Sequence, residues 1–250
     1  MIGIIGYGRF GRLTVQNLSA DFDVAVYTRS ASKEEDIVEA GGRLVSLKTA
    51  CRQKLVVLCV PISAMQATLK QIAPLLAEGT TVIDVCSVKI YPTRWMHELL
   101  PDTVEILATH PMFGPDSAGK SLRRHKMVLC PERIEPKRYL KIKAWLEGKG
   151  LNLIETSADQ HDRQIAVSLA LTHFIGRTLS EFGAFQLDID TEGYKRLLHI
   201  LEVVSNDTWQ LFEDMNHYNP YAESKRMEFL QAMNKINGVL EKQTTAGGVL

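Results

Sequence analysis

Within eleven residues of its start the chain places three glycines at Gly6, Gly8 and Gly11, inside the run "IGIIGYGRFGRL". An apolar run over residues 2–5 precedes them, and Phe10, Leu13 and Leu18 follow as the apolar positions of a helix. A strand that turns through a G-x-G-x-x-G spacing into a helix is how dinucleotide-binding folds begin. Gly6 permits the tight turn, Gly8 lets backbone approach a pyrophosphate, and Gly11 lets the helix pack closely on the strand. The helix N-terminus then faces the phosphates. Gly6, Tyr7, Gly8, Arg9, Phe10 and Gly11 are therefore the first expected cofactor contacts.

The next strand bears on which dinucleotide is bound. A site for NAD usually carries an acid about 20 residues on, bonded to the ribose 2′-hydroxyl. Here the strand ends "VAVYTRS", with no acid from Tyr27 to Ser30. Arg29, flanked by the hydroxyls of Thr28 and Ser30, suits a 2′-phosphate, which a guanidinium grips with charge-assisted bonds. The expected cofactor is NADP, with NAD as the alternative. A further strand, "LVVLCVPISAM", brings Val60 and Pro61 to the nicotinamide side of the cleft, where they shape the pocket.

Strand-like runs recur at 2–5, 24–27, 55–59, 81–84, 105–108, 127–129 and 151–154, alternating with helical stretches such as 9–18, 63–76 and 136–147. Short buried strands alternating with helices predict a mostly parallel, doubly wound sheet covered on both faces. Beyond Ser157 strand patterns cease. The run "SADQHDRQIAVSLALTHFIGRTLSEFGAFQ" reads as one long helix, apolar around much of its circumference, with Val167, Phe182 and Phe185 on one stripe. Asn219-Pro220 predicts the start of a last helix running to about residue 242, and the tail "TTAGGVL" is expected to fray. The fold class is α/β: a Rossmann-type domain over 1–157, then an all-helical domain over 158–250 for substrate and dimerisation. A homodimer is expected from the unusually apolar long helix.

Formal net charge is zero, so no basic excess points to a nucleic-acid or membrane-surface partner. No apolar run reaches the length of a membrane-spanning helix. The four cysteines form no CxxC, and no Cys/His spacing suggests a metal. A reduced, cytoplasmic protein is expected, or a plastid one if a transit peptide has been removed. The partner expected is a small molecule.

Two more strand ends carry polar groups. "TVIDVCSVK" presents Ser87 and Lys89, and "ILATHPMFGPDS" presents His110 in a loop after its strand. A neutral histidine there can take a proton near neutral pH, and Lys89 could hold a carboxylate. On the long helix, His173 and Arg177 lie one turn apart, and Arg177 could also hold a carboxylate.

Together "DVCSVK", "THPMFGPDS", "DQHDR" and "LTHFIGRTL" resemble the prephenate and arogenate dehydrogenase family of tyrosine biosynthesis, over nearly the whole chain. "YTRS", "THFIGR" and "TEGYKRLL" look most like its plant-type arogenate dehydrogenase branch. The resemblance implies oxidative decarboxylation of a cyclohexadienol carboxylate, prephenate or arogenate, with hydride transfer to the nicotinamide. It implies His110 as general base, Ser87 as the group orienting the hydroxyl or the histidine, and His173 in the substrate pocket. His161 and Asp162 also match the family, although near a helix start Asp162 could serve only the helix dipole. One departure stands out: where much of the family has a carboxylate-clamping arginine, this chain has Glu202, with Arg196 nearby. Two other readings start from the same glycines. One is a β-hydroxyacid or pyrroline-carboxylate reductase type, which the absence of a lysine in the long helix disfavours. The other is a non-catalytic NADP-sensing dimer, which needs no base at the cleft.

Overall fold

A computed structural model describes residues 1–118 and 121–246 of the chain, with the side chains of residues 242–246 left aside. Its first compact unit, Met1–Asp162, is built on an eight-stranded sheet of order β3-β2-β1-β4-β5-β6-β7-β8. The strands are β1 (Ile2–Ile5), β2 (Val24–Tyr27), β3 (Gly42–Leu44), β4 (Leu55–Leu58), β5 (Thr81–Asp84), β6 (Glu105–Pro111), β7 (Lys126–Arg133) and β8 (Asn152–Glu155). Every neighbouring pair is parallel except β6 and β7. The strand order reverses beside β1, so the connections leaving the paired strands β1 and β4 run in opposite directions and leave a crevice at the carboxyl edge.

All four residues of β1 and of β5 are buried, as expected of strands covered on both faces. Helix α1 (Arg9–Leu18) buries Leu13, Val15 and Leu18, and contacts β1 and β2. It is followed by α2 (Glu34–Glu39) and α3 (Leu47–Cys51). Next come α4 (Ile62–Ile72) and α5 (Ile90–Leu99), which pack on each other. A single turn, α6 (Pro115–Ala118), follows β6, and α7 (Pro136–Gly148) joins β7 to β8.

Two sequence expectations change in this unit. The edge strand β3 was not anticipated: it is three residues long and contains a glycine. A Cβ on Gly42 would lie 2.9 Å from Val26 and 3.0 Å from Val15, so crowding rather than strand propensity fixes that residue. The other change is that β6 runs on to Pro111, placing His110 inside the strand, opposite Val128 of β7, and not in a loop.

The second compact unit, Arg163–Leu250, is helical over its described residues. The helix α8 (Ala158–Ile165) passes into a π-helical segment, Ala166–Leu171, and then α9 (Thr172–Glu181). The single α-helix expected over 157–186 is thus interrupted by a π segment and ends before Phe182 and Phe185. Then follow α10 (Glu192–Ser205), α11 (Trp209–His217) and α12 (Ala222–Ala246). A Cβ on Gly176 would meet Val204 at 2.5 Å, so α9 and α10 cross where only glycine fits. Asn219 accepts a bond from the Tyr221 amide in the turn before α12, which begins at Ala222, two residues after the start expected at Pro220. Residues 247–250, the rest of the tail expected to fray, lie outside the described residues.

The units divide inside α8, a few residues beyond the boundary expected at 157. The reason is chemical: His161 and Asp162 bond to the ends of β6 and α5 in the first unit.

Candidate active site

The glycine turn shows three different constraints at its three positions. Gly6 has φ +99°, and a Cβ there would lie 2.3 Å from the Cys59 carbonyl oxygen. A Cβ on Gly11 would lie 2.5 Å from the Gly6 oxygen. These two glycines serve the fold. Gly8 is different: its φ of −88° suits any residue, and a Cβ would meet nothing within 4 Å. The space over Gly8 is open, at the N-terminus of α1, where a pyrophosphate is bound by folds of this type. These residues fit a dinucleotide.

The neighbours of the turn divide by role. The Tyr7 hydroxyl donates to the Asp36 carbonyl at 2.8 Å, and burial pushes its pKa up to about 12. Its side chain is therefore part of the core, leaving only its backbone in the turn. The half-buried Phe10 ring lies tilted against Phe113, with centres 6.3 Å apart. Arg9 pairs with Asp116 of α6 at 2.6 Å, both half-exposed. Thr28, Arg29 and Ser30 follow β2 on the same edge; Arg29 is exposed, and the Ser30 and Ser32 hydroxyls are 2.8 Å apart. Val60 sits against the glycine turn, 3.0 Å from where a Gly6 Cβ would be, and Pro61 caps α4.

The ends of β5 and β6 lie side by side, Asp84 opposite Ala108. Lys89 is fully buried there and forms an ion pair with Asp84, and its ammonium also donates to the Thr109 carbonyl at 2.5 Å. Asp84 in turn accepts from the Thr109 and Cys86 amides at 3.2 and 3.0 Å, while the Thr109 hydroxyl donates to the Asp84 carbonyl at 2.6 Å. The expectation that Lys89 holds a substrate carboxylate is therefore corrected. Its charge is spent inside the protein, locking the backbone of the residue before His110. Asp84, invisible as a site residue in an apolar strand, supplies the other half.

His110 is 6% exposed. Its Nδ1 lies 2.9 Å from His161 Nε2, and His161 Nδ1 lies 2.7 Å from Asp162 Oδ1. The Asp162 carboxylate accepts the Lys89 amide at 2.7 Å and the Ile90 amide at 2.9 Å, at the N-terminus of α5. Asp162 does serve a helix dipole, but that of α5 and not of its own helix. Burial, reinforced by the nearby His161 and Lys89, holds the His110 pKa well below 6.5. The His161 pKa is lowered too, burial outweighing the opposite pull of Asp162. His110 is thus neutral and able to accept a proton at neutral pH. Ser87, just beyond β5, has a hydroxyl out of contact with water and without a hydrogen bond among the described residues.

An apolar cavity of about 410 Å³ lies between α1 and α7, lined by Leu13, Val57, Ile83, Leu107, Thr109 and Trp145 among others. It is a separate place. Side chains alternate across a strand, so with Leu107, Thr109 and Pro111 on the cavity side, His110 faces the other way.

In the second unit His173 is buried, its Nε2 3.6 Å from Asp207 Oδ2 and its Nδ1 without a partner among the described residues. Burial lowers its pKa, against the raising effect of Asp207. Arg177 donates to the Asp207 carbonyl at 2.5 Å and lies over the Trp209 ring, 5.5 Å from its centre. Arg196 is exposed, and Glu202 is exposed with His199 at 3.6 Å. Among the described residues no group of His, Cys, Asp and Glu is placed to hold a metal, and no helix is long and apolar enough to cross a membrane.

Comparison with known proteins gives the family. The family pattern described as "Prephenate dehydrogenase, nucleotide-binding domain" matches residues 20–155, and one described as "TYRAAT1-like, C-terminal domain" matches 178–248. The chain is 31% identical over 256 residues to arogenate dehydrogenase 2, chloroplastic, of Arabidopsis thaliana, covering 97% of this chain and 71% of that protein. It is 25% identical over 264 residues to a probable arogenate/prephenate dehydrogenase of Methanocaldococcus jannaschii, covering 99% of this chain and 57% of that one. Its fold is similar to that of prephenate dehydrogenase from A. aeolicus in complex with hydroxyphenyl propionate and NAD+. The TM-score is 0.76 at 20% identity, over 97% of this chain and 91% of that one. By sequence, the chain belongs to the prephenate/arogenate dehydrogenase family of NAD(P)-dependent oxidoreductases.

Proposed function

We propose that this chain catalyses the oxidative decarboxylation of prephenate or arogenate in tyrosine biosynthesis, with NADP as the hydride acceptor and His110 as the general base. The observation that carries the chemistry is a neutral, buried imidazole at the carboxyl end of β6, held at one nitrogen by His161. A base is required because the substrate's C4 hydroxyl must lose its proton as hydride leaves C4.

A nicotinamide cofactor, held at the glycine turn, would supply the hydride acceptor. His110 takes the hydroxyl proton, giving a ring ketone. The C1–carboxylate bond then breaks, CO2 departs, and the bonding pair enters the ring. The phenolate oxygen recovers the proton from His110, so atoms and charge balance without a net proton. Aromatisation makes the sequence effectively irreversible. Ser87, whose hydroxyl is unspent, orients the substrate hydroxyl. His173 and Arg177 belong to substrate binding in this reading. Arg29 with Thr28 and Ser30 recognises a 2′-phosphate, and the open space over Gly8 admits the pyrophosphate.

The active species in this reading is a homodimer joined through the helical unit. Phe182, Phe185, Ile189, Val203 and Trp209 are all exposed in the single chain, more apolar surface than a small helical unit leaves in water. Sedimentation at micromolar concentration should give twice the 28.0 kDa chain mass; a monomer would contradict it.

The experiment for the reaction is a steady-state assay with each substrate and each cofactor. Appearance of NADPH absorbance on adding prephenate or arogenate, with CO2 released in equal amount, is the expected result. No reduced cofactor with either substrate and either NADP or NAD would overturn it.

A further inference from the structure

Resting on that reading of His110, we propose that Asp162 and His161 are positioning residues that fix the protonation pattern of the base: they keep the His110 proton on Nδ1 and leave Nε2 bare to receive the substrate's proton. The inference follows from counting donors along three contacts.

Asp162 begins the count. It accepts two backbone amides, from Lys89 and Ile90, so both of its oxygens face donors already. A carboxylate only accepts. The contact of Asp162 Oδ1 with His161 Nδ1, at 2.7 Å, therefore requires the hydrogen to lie on His161 Nδ1. A neutral imidazole carries one N–H, so His161 Nε2 is left as an acceptor. His110 Nδ1, 2.9 Å away, must then be the donor in its own contact. The remaining nitrogen, His110 Nε2, keeps its lone pair. Burial of His161, 3% exposed, supports its neutral state against the pull of Asp162. Reverse any one contact and every proton moves to the opposite nitrogen, which would leave His110 Nε2 protonated and unable to act as a base.

The chain has a second effect. When His110 takes a proton it becomes a cation in a buried site, where charge is costly. Its Nδ1–H then points at His161 Nε2, and polarisation through His161 reaches the Asp162 carboxylate. The imidazolium is stabilised without an acid in direct contact with it. Among the described residues, the charged groups acting on the His110–His161 pair are Asp162 from α8, Lys89 at the start of α5, and its partner Asp84 at the end of β5. Lys89 disfavours a positive charge on the imidazole pair and Asp84 favours one, and Asp162, in direct contact with His161, is the acid placed to offset a new charge there.

The direct test needs no substrate. With histidines labelled at both ring nitrogens, long-range proton–nitrogen correlation spectra report which nitrogen of His110 carries hydrogen. The expected result at neutral pH is the Nδ1–H form of both His110 and His161, with His110→Asn and His161→Gln assigning the signals. An Nε2–H form of His110 in the native protein overturns the proposal, whether or not the reaction assigned above is correct. Asp162→Asn supplies the kinetic arm. Asparagine replaces one acceptor oxygen by a donor, and both positions already face backbone N–H groups, so whichever way the amide turns the carboxylate that fixes the His161 proton is lost. The variant should lower kcat by about 10²-fold or more, the lower end of what a placed general base contributes, with substrate KM and cofactor binding near native. Native kcat in Asp162→Asn, with only a lower melting temperature, would make Asp162 structural and overturn the proposal. If Asp162→Asn does not fold, His161 decides. His161→Gln can still accept from His110 Nδ1 and should recover activity relative to His161→Leu; equal activity in the two would contradict the relay.

Discussion

Asp84 and Lys89 are joined in an ion pair from which water is wholly excluded, at the strand end next to His110. Removing one partner of a buried pair leaves the other charge unpaired, at a cost of about 3–5 kcal/mol. Lys89→Met should therefore lower stability by roughly that amount. Asp84→Asn combined with Lys89→Met should cost less than the two separately. Denaturant unfolding curves of the four proteins measure both quantities. A Lys89 that held substrate instead would raise KM and leave stability almost untouched.

Gly8 separates binding from folding. Its backbone is in an ordinary region and a Cβ would meet nothing within 4 Å, so Gly8→Val should melt close to native. The side chain would fill the space over the turn where a pyrophosphate approaches. Cofactor affinity should fall roughly tenfold or more, equivalent to about 1.4 kcal/mol. Gly11→Ala is the contrasting variant, because its Cβ would lie 2.5 Å from the Gly6 oxygen and must disturb α1 itself. Calorimetric titration beside thermal melts distinguishes the two; unchanged affinity in Gly8→Val would move the cofactor elsewhere.

Arg29 tests the choice of dinucleotide. Hydrogen bonds to a charged group are worth about 1.5–3 kcal/mol, so Arg29→Ala should weaken NADP binding by about 10- to 100-fold. NAD, lacking the 2′-phosphate, should lose little. A native enzyme that binds NAD more tightly than NADP would show that Arg29 does not read the cofactor.

The frame of this molecule was legible in its sequence because its signals are local. A glycine spacing after an apolar run is contained in eleven residues, and the runs at β1, β2, β4 and β5 each announce themselves. What the sequence hid is non-local or context-made. Strand β3 has no apolar signature, since Gly42 is dictated by Val15, Val26 and Ile37 closing over it. His110 looked like a loop residue because prolines and glycines follow it, yet pairing with β7 extends β6 through Pro111. Lys89 looked like a cleft cation able to hold a carboxylate until Asp84, five residues earlier, proved to face it in the core. Asp162 and Lys89 are 73 residues apart, and their contact is written in neither segment. Asp84 would have been found by asking why an aspartate sits in the run "TVID", where an unpaired carboxylate is too costly to bury.

The central claim is that His110 takes the substrate's hydroxyl proton, and the pH dependence of kcat/KM in native protein and His110→Asn tests it most directly. The His110 pKa is depressed below 6.5 by burial, so the neutral, base-competent form persists through neutral pH. Activity should be lost only as pH falls through that lowered pKa, giving an acid limb below 6.5. Asparagine keeps some hydrogen bonding but cannot accept a full proton at these pH values. His110→Asn should lower kcat by about 10²- to 10⁴-fold, abolish the acid limb and leave NADP binding near native. Retention of more than about a tenth of native kcat, with the acid limb intact, would contradict a base contribution of 10² and leave His110 a scaffold residue.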